Sequence, residues 1–413
     1  MLALLLAGEA VFALPFIIAR VFRPTLLDVF GITNLQLGTA FSLYGVVAMA
    51  TYFPGGPLAD RFGPRRLLTI ALFTTALGGL VYAQIPTLRG LTLLFGFWGV
   101  STILLFWSAL LRATRQWGGP DQQGLAYGLL DGGRGVVAAI LAAVSVWIFG
   151  RLLPGGGDGA SLMQRTEALQ TVIYLATGLT AFAALITWLW VPEGSGSTAA
   201  GSNDIDDRFE WGHVGEVLRT PALWLQAAIV ICAYVGYKST DDFALYARDA
   251  FGMNDVEAAR TGTIAFMVRP LAALGAGLLG DRIGSSSKVL LWSFVALVLF
   301  AGLLGSGLLP ASLPIFFLLT VAGASAAICA LRGVYYAIFP EANIPLVSTG
   351  TAVGLVSVIG YTPDIFMGPL MGWLTDRSPG AAGHEHLFLA VAGFAAGGLV
   401  ATTLFRRLTA KDV

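Results

Sequence analysis

Charged residues that interrupt long apolar runs are the strongest chemical signal in this sequence. They are Glu9, Arg20, Asp131, Arg134, Lys238, Asp241, Asp242, Arg269 and Asp364. A charged side chain at the centre of a bilayer costs about 2.5–3.5 kcal/mol on insertion scales, and more by other measures. Such residues persist where they pair with one another, bind a ligand or carry a proton, so we treat them as the candidate functional residues.

Two of the cations occupy similar positions in two different apolar runs. Arg20 lies ten residues before the Phe30–Gly31 pair that ends its run, and Lys238 lies thirteen residues before Phe251–Gly252. If both helices face one cavity, Arg20 and Lys238 would bind the negatively charged group of a substrate from two sides. For Arg20 a surface role stays open, because Arg23 follows closely and long side chains extend to the membrane surface.

Arg134 and Arg269 are the other two cations within apolar runs. Glycines flank Arg134 on both sides, which leaves room for a ligand, although an ion pair with Asp131 at i, i+3 is an alternative. Arg269 precedes Pro270, a residue type that kinks helices. Arg269 is therefore a second candidate anion ligand, and its alternative role is a gate or a partner for a carboxylate on another helix.

The acidic residues near Lys238 are predicted to balance its charge. Asp241 and Asp242 follow Lys238 at i+3 and i+4, the spacings at which helical side chains meet. Glu9 lies eleven residues before Arg20, three turns along the same helix face, and is predicted as a further charge partner.

Asp364 is the candidate proton carrier. It follows Pro363 at a predicted helix break, and a buried carboxylate can take up a proton. The alternative for Asp364 is a structural salt bridge. Two tyrosines, Tyr237 beside Lys238 and Tyr361 near Asp364, are predicted to offer hydroxyl groups to the substrate.

The elements that must position these residues are membrane helices. The chain has 413 residues, of which 56% are hydrophobic and 12% charged, and its mean hydropathy is +0.77. Runs of about 20 apolar residues cross a hydrocarbon core of about 30 Å. The sequence predicts an all-α membrane protein of twelve helices at 2–29, 34–55, 67–85, 90–112, 124–150, 168–191, 221–247, 257–279, 288–308, 313–332, 346–374 and 385–405.

Composition excludes several other classes of protein. The formal net charge is zero, so the chain has no basic field for nucleic acid. Cys232 and Cys329 both lie in apolar runs, which favours packing over a disulfide. The first apolar run has no basic segment before it and no small-residue cleavage site, so we expect a retained helix and not a signal peptide.

The sequence repeats at an offset of 221 residues. The stretch DVFGITNLQLGT at residue 28 returns as DAFGMNDVEAART at 249, and GPLADRFGPRR at 56 returns as GLLGDRIGSSSK at 277. Between the copies, residues 193–220 are rich in Gly, Ser and Asp, as linkers are. We therefore predict two pseudo-symmetric six-helix bundles, 1–192 and 221–413, joined by a cytoplasmic linker.

The distribution of basic residues predicts the orientation. With both termini inside, thirteen Lys and Arg residues, Arg332 among them, fall in cytoplasmic segments and seven fall outside. The positive-inside rule favours that arrangement. We expect a multi-pass protein of the inner or plasma membrane with both termini in the cytoplasm.

The loop GGPLADRFGPRR resembles the signature of the major facilitator superfamily between helices 2 and 3. The matching residues are Gly56, Asp60, Arg61, Gly63, Arg65 and Arg66, and the second copy keeps Asp281 and Arg282. The resemblance implies twelve helices, a binding site between the two halves, and a role for this loop as a latch in one conformation. On the residues alone, the loop arginines could simply fix the topology, while Gly56 and Gly63 would permit close approach and a tight turn.

Two anion-transporting branches of that superfamily are similar at the buried cations. The organophosphate:phosphate antiporters offer an arginine from helix 1 and another from helix 7, and a basic residue in helix 5. Here Arg20 and Arg134 match, but Lys238 replaces the second arginine, which leaves carboxylates and sulfonates open beside phosphate esters. Nitrate and oxalate carriers use a helix 8 arginine, where this chain has Arg269.

Together these features predict a secondary transporter of a small organic anion, driven by proton symport or anion exchange. An enzyme is not indicated, because His213, His384 and His386 fall in predicted loops and no GxxxxGK[ST] motif appears. We expect no cofactor, no metal and a monomer. A proton-coupled exporter of drugs or sugars, with structural buried charges, is the first alternative, and a transporter-like sensor is the second.

Overall fold

The computed structural model describes residues 1–119, 122–193, 220–339, 341 and 354–409, and its secondary structure there is helical. The first half holds α1 (Leu2–Phe12, the π-helical Ala13–Ile17, Ile18–Val21 and Arg23–Phe30), α2 (Asn34–Arg61), α3 (Pro64–Tyr82), α4 (Leu88–Gly99, the π-helical Val100–Trp107 and Ser108–Gly118), α5 (Gln123–Leu152) and α6 (Leu162–Trp190). A 3-10 turn, Pro154–Gly157, joins α5 to α6. The second half holds α7 (Pro221–Ser239, the 3-10 turn Thr240–Asp242 and Phe243–Phe251), α8 (Asp255–Ile283), α9 (Ser286–Leu304), α10 (Pro314–Val334), α11 (354–360 and Pro363–Arg377) and α12 (Ala381–Thr409).

The predicted all-α membrane fold is confirmed. In the described ranges, nine helices are long and apolar enough to span a membrane, or ten if Arg23–Phe30 and Asn34–Tyr52, bent by 103°, count as one span. The number of crossings, twelve, stays a prediction. Residues 194–219, most of the predicted linker, lie outside the described part of the chain.

The repeated sequence folds into a repeated turn. The spacing of Thr33 and Gln36 in the sequence predicts a capping box, and Thr33 does cap α2 in this way. Asn254 caps α8 in a second box with Glu257, 221 residues later. The preceding helices both end on a left-handed residue, Gly31 with φ 60° and Gly252 with φ 65°. Glycine adopts that conformation without strain, so the two repeat-related glycines end their helices in the same way.

The halves meet where α2 packs against α11 and α5 against α8. Gly38 and Gly368 allow the closest approach, because a methyl group on Gly38 would overlap the carbonyl oxygen of Gly368. One apolar cluster is built from residues between Ala222 and Phe405, and a second from residues between Ala3 and Val191. A third draws mainly on the first half and adds a few residues of α7 and α8, such as Leu245 and Phe266. The division at residues 192 and 221 stays a prediction that these clusters support.

Candidate functional site

A cavity of about 130 Å³ lies between the halves and is lined by residues of α1, α2, α4, α5, α7, α8, α10 and α11. Its charged lining residues are Glu9, Arg20, Arg134, Lys238, Arg269, Arg332 and Asp364. Aromatic side chains supply much of the remaining wall. The sequence therefore predicted most of this set, and Arg332 is the addition.

Arg20 and Lys238 share one carboxylate. The Nε of Arg20 lies 2.5 Å from Oδ1 of Asp241, and the Nζ of Lys238 lies 3.3 Å from Oδ2 of the same residue. Arg20 is 2% exposed, so it lies inside the protein and not at the membrane surface. Lys238 also approaches Asp364 at 3.4 Å, and the hydroxyl of Tyr234 donates to that carboxylate at 3.0 Å. These contacts join α1, α7 and α11.

Arg134 and Arg269 form a second network around Glu9. The Nε of Arg134 lies 3.3 Å from Glu9 and donates to the carbonyl oxygen of Gly8 at 2.9 Å. Arg269 approaches Glu9 at 3.8 Å and Asp131 at 3.2 Å. Since Arg269 belongs to α8, it ties the second half to α1 and α5.

The structure gives Asp131, Arg134 and Glu9 partners on other helices. Asp131 pairs with Arg269 across the interface, and Arg134 turns to Glu9, so the intrahelical pair between Asp131 and Arg134 does not form. Glu9 pairs with Arg134 and Arg269, while Arg20, about 16 Å along the same helix by its rise per residue, pairs with Asp241.

The predicted pairing of Asp242 with Lys238 is wrong, because the two side chains do not form an ion pair. The 3-10 turn Thr240–Asp242 changes the helical register, and Asp242 instead approaches Nδ1 of His384 at 2.6 Å. His384 is 1% exposed and belongs to α12, although the sequence placed it in a loop. His386 is also in α12 and is exposed, and His213 falls outside the described residues.

Arg332 is the cavity residue that the sequence analysis missed. It was counted as a cytoplasmic residue at the end of a helix, but the structure places it in the cavity wall, with Cζ 3.8 Å from the centre of the Tyr237 ring. The signal was present in the sequence, because the apolar stretch Val334–Phe339 follows Arg332 and continues the run.

The tyrosine ring satisfies only part of what Arg332 needs. The Nε of Arg332 is buried without a hydrogen-bond partner. The described residues include no carboxylate within ion-pair distance of Arg332. A cation–π contact contributes about 0.5–2 kcal/mol. The effective cost of desolvating an ion inside a protein is several kcal/mol. Stacking alone therefore leaves Arg332 under-compensated.

The predicted tyrosines both line the cavity. The hydroxyl of Tyr237 accepts a hydrogen bond from Nη1 of Arg20 at 3.3 Å. Tyr361 lies within a hydroxyl cluster, 3.2 Å from Tyr336 and 3.4 Å from Tyr335. The cavity therefore offers a ligand both cations and tyrosine side chains.

The cavity is closed at the end of the bundle that holds the α1–α2 and α7–α8 turns, which we call the far end. Asp28 of the first half pairs with Arg248 of the second at 2.8 Å, and Arg165 pairs with Asp255 at 2.9 Å. Arg165 also contacts Asp28 at 3.1 Å. These four residues form a chain of ion pairs across the interface, which we call the far-end seal.

Asp376 closes the same end between α2 and α11. Its carboxylate accepts hydrogen bonds from the backbone N–H groups of Asn34 and Leu35, at 3.2 and 2.8 Å. An acidic side chain of one half therefore caps a helix N-terminus of the other half. Asn34 adds a side-chain hydrogen bond to Thr375 at 2.7 Å.

Among the described side chains of the signature loop, Arg61, Arg65 and Arg66 contact residues of their own half. Arg65 and Arg66 each lie 2.6 Å from Glu193, beyond the end of α6. Arg61 stacks on Phe62, with Cζ 5.7 Å from the ring centre. The Asp60 side chain lies outside what the structure describes, so its predicted latch contact is not seen.

The predicted reason for the loop glycines is wrong. Gly63 has φ −60°, which any residue adopts, and a methyl group on Gly56 would meet nothing within 4 Å. In the second copy Gly284 does end α8 in a left-handed conformation, with φ 63°. Asp281 and Arg282 precede it and are exposed.

The charges at the site do not cancel. Five cations line the cavity, and the carboxylates bonded to them are Glu9, Asp131, Asp241 and Asp364. These nine side chains, of which Asp131 is 62% exposed, together leave one formal positive charge in excess. In the same part of the chain, no group of three or more His, Cys, Asp or Glu residues could hold a metal ion.

Comparison with known proteins agrees with this architecture. The family model described as Major Facilitator Superfamily matches residues 5–361. The chain is 28% identical to inner membrane protein YqcE of Escherichia coli, over 92% of this chain and 88% of that protein. It is 26% identical to the probable nitrate/nitrite antiporter NarK1 of Thermus thermophilus, over 67% of this chain and 59% of that protein.

The solved structures share the fold at low sequence identity. A bacterial homolog of the human lysosomal transporter Spinster, in an inward-facing and occupied conformation, superimposes with a TM-score of 0.72 at 16% identity, over 98% of this chain and 96% of that one. With a family match over most of the chain, an all-helical multi-pass architecture and a charged cavity between two halves, this chain belongs to the Major Facilitator Superfamily and is a membrane transporter of small molecules, not an enzyme.

Proposed function

We propose that the protein carries a small organic anion by alternating access. The observation that supports this most is the excess of cations in the cavity, since an anion brought out of water needs opposite charge around it. Arg20, Lys238, Arg134 and Arg269 would surround the anionic group, and Tyr237 and Tyr361 would contact the rest of the molecule. The substrate is a carboxylate, sulfonate or phosphate ester.

The seal and the paired charges suggest how the cycle proceeds. The far-end seal holds one conformer, and rocking of the halves would break it and open the cavity to the other side. The signature loop, with Asp60, Arg61, Arg65 and Arg66, would act as the latch of the alternate conformer. The likeness to an antiporter of nitrate and nitrite supports anion exchange, and Asp364 supports proton symport.

We also propose an inner-membrane location with both termini in the cytoplasm and a monomeric transporter. The name of the Escherichia coli relative supports the location. The alternative function, a proton-coupled exporter of drugs or sugars, is favoured by one observation: four of the five cavity cations have carboxylate partners. In that case the charges are structural.

Ligand-dependent stability distinguishes the two functions. The purified protein is heated with gluconate, benzoate, glycerol 3-phosphate, glucose or the cationic dye ethidium. We expect at least one of the anions to raise the unfolding midpoint, because a ligand at a hundred times its Kd adds about 2.7 kcal/mol of stability. Stabilisation by glucose or ethidium, with none by any anion, would favour the exporter.

Replacing Asp364 by asparagine tests its role as proton carrier. Asparagine can still accept the hydrogen bond from Tyr234, and Lys238 keeps Asp241, so the fold should hold. In proteoliposomes we expect loss of proton-driven accumulation of the stabilising anion, with exchange of labelled for unlabelled anion retained, because exchange needs no net proton movement. Equal loss of both activities would assign Asp364 a structural or binding role.

A further inference from the structure

One cavity cation differs from the other four. Arg20 and Lys238 contact Asp241, and Arg134 and Arg269 contact Glu9, all within 4 Å. Arg332 lies outside both networks, and within the described part of the chain its contact is the face of Tyr237.

The geometry of Arg332 suits a ligand. With Cζ 3.8 Å from the ring centre, Tyr237 covers the guanidinium group from one direction, and the described residues offer its N–H donors no carboxylate. The Nε is buried without a hydrogen-bond partner, and the residue lines the cavity and keeps some exposure. A planar fork of donors matches the two oxygens of a carboxylate or sulfonate.

Arg20 reaches the same tyrosine. Its Cζ lies 4.6 Å from the ring centre, against 3.8 Å for Arg332. The two guanidinium groups belong to different halves. Arg20 forms an ion pair with Asp241, whereas Arg332 has no carboxylate partner among the described residues. An incoming anion would therefore meet Arg332 without displacing a carboxylate.

Another buried arginine shows that the situation of Arg332 is specific to the cavity. Arg23 also has a buried nitrogen without a partner, yet it is 1% exposed and donates from Nε to Asn34 at 2.7 Å. Arg23 does not belong to the cavity lining. Of the two, Arg332 is the one that a ligand can reach.

We propose that Arg332, held on Tyr237, is the primary docking point of the substrate and that it selects a singly charged anionic group. The ion pairs support the second part, because among the described residues Arg332 is the one cavity cation without a carboxylate partner, and one anionic group would neutralise it. This inference rests on the proposed anion transport and narrows it to monoanions.

Matched ligands separate charge from shape. Glucose, gluconate and glucarate carry zero, one and two carboxylates on one skeleton, and benzamide, benzoate and isophthalate do the same on a ring. In at least one series we expect the monoanion to bind the unaltered protein most tightly. Arg332→Gln should weaken that binding roughly ten- to a hundredfold. Arg332→Lys, which keeps the charge without the fork, should lose less.

Arg151 provides the matched control. It stacks on Trp147, with Cζ 5.4 Å from the ring, but it is exposed and outside the cavity lining, so Arg151→Gln should bind as the unaltered protein does. Asp364→Asn adds one positive charge to the cavity and should shift the preference towards glucarate or isophthalate. That variant keeps the test decisive even if Arg332→Gln does not fold.

The outcomes separate the two proposals. If no anion binds the unaltered protein, anion transport fails and the role of Arg332 fails with it. If anions bind and folded Arg332→Gln binds them equally well, or if the unaltered protein prefers the dianions, the role of Arg332 is overturned while anion transport stands.

Discussion

Replacing Asp241 by asparagine should destabilise the protein by about 3–5 kcal/mol, the usual cost of removing one partner of a buried ion pair. Asp241 is 4% exposed and holds Arg20 at 2.5 Å and Lys238 at 3.3 Å, so its loss leaves two buried cations with less compensation. The measurement is thermal unfolding of the purified protein in detergent. Asp158→Asn, at an exposed position in the α5–α6 connection, is the control and should unfold as the unaltered protein does.

A double variant shows whether the charge is the cause. Arg20→Gln removes one of the cations that Asp241 balances, and Lys238 keeps Asp364 at 3.4 Å. The Arg20→Gln, Asp241→Asn protein should therefore be more stable than Asp241→Asn alone. If the two losses of stability simply add, the contacts of Asp241 with Arg20 are not coupled and the ion-pair explanation is wrong.

Replacing Gly38 by alanine should prevent closure of the far end. The added methyl group would overlap the carbonyl oxygen of Gly368, a backbone atom that cannot move without shifting α11. Since alternating access needs both closed ends in turn, we expect transport of the stabilising anion to fall at least tenfold. Gly178→Ala is the control, because a methyl group on that residue of α6 meets nothing within 4 Å.

Accessibility reports the conformer directly. On a background without Cys232 and Cys329, Ile17→Cys places one thiol in the cavity wall. A membrane-impermeant maleimide applied at the far end should label this thiol much faster in the Gly38→Ala protein than in the protein with Gly38 or in the Gly178→Ala control. Equal labelling of the three proteins, together with normal transport, would show that the far end still closes when residue 38 carries a methyl group.

The sequence predicted which charges are buried better than it predicted their partners. Arg20, Lys238, Arg134 and Arg269 all line the cavity because charge within an apolar run is costly wherever it lies. Their partners could not be read from spacing, since the contact from Arg20 to Asp241 joins residues 221 apart and that from Arg269 to Asp131 joins residues 138 apart.

The sequence predicted interactions correctly where both partners lie within one turn of helix. The capping box at Thr33 is confirmed because its donors and acceptors lie within one turn of helix. The predicted pairing of Asp242 with Lys238 was wrong because the apolar pattern does not indicate the 3-10 turn Thr240–Asp242. In that turn the side chain of Asp242 contacts His384. Arg332 was missed because the predicted span ended two residues too early, and a helix boundary has an error of that size.

The four charges of the far-end seal have a consequence for how the protein responds to its surroundings. Asp28, Arg165 and Arg248 keep about a third of their side-chain surface exposed, at 33%, 28% and 28%, so dissolved salt reaches them. Pairs of this kind contribute about 0–1 kcal/mol each and weaken as ionic strength rises, because the Debye length is about 8 Å at 0.15 M. A shift of about 1.4 kcal/mol changes a conformational equilibrium tenfold. We therefore expect the ionic strength at the far end to shift the balance between the two proposed conformers, while the buried pairs around Asp241 keep their strength.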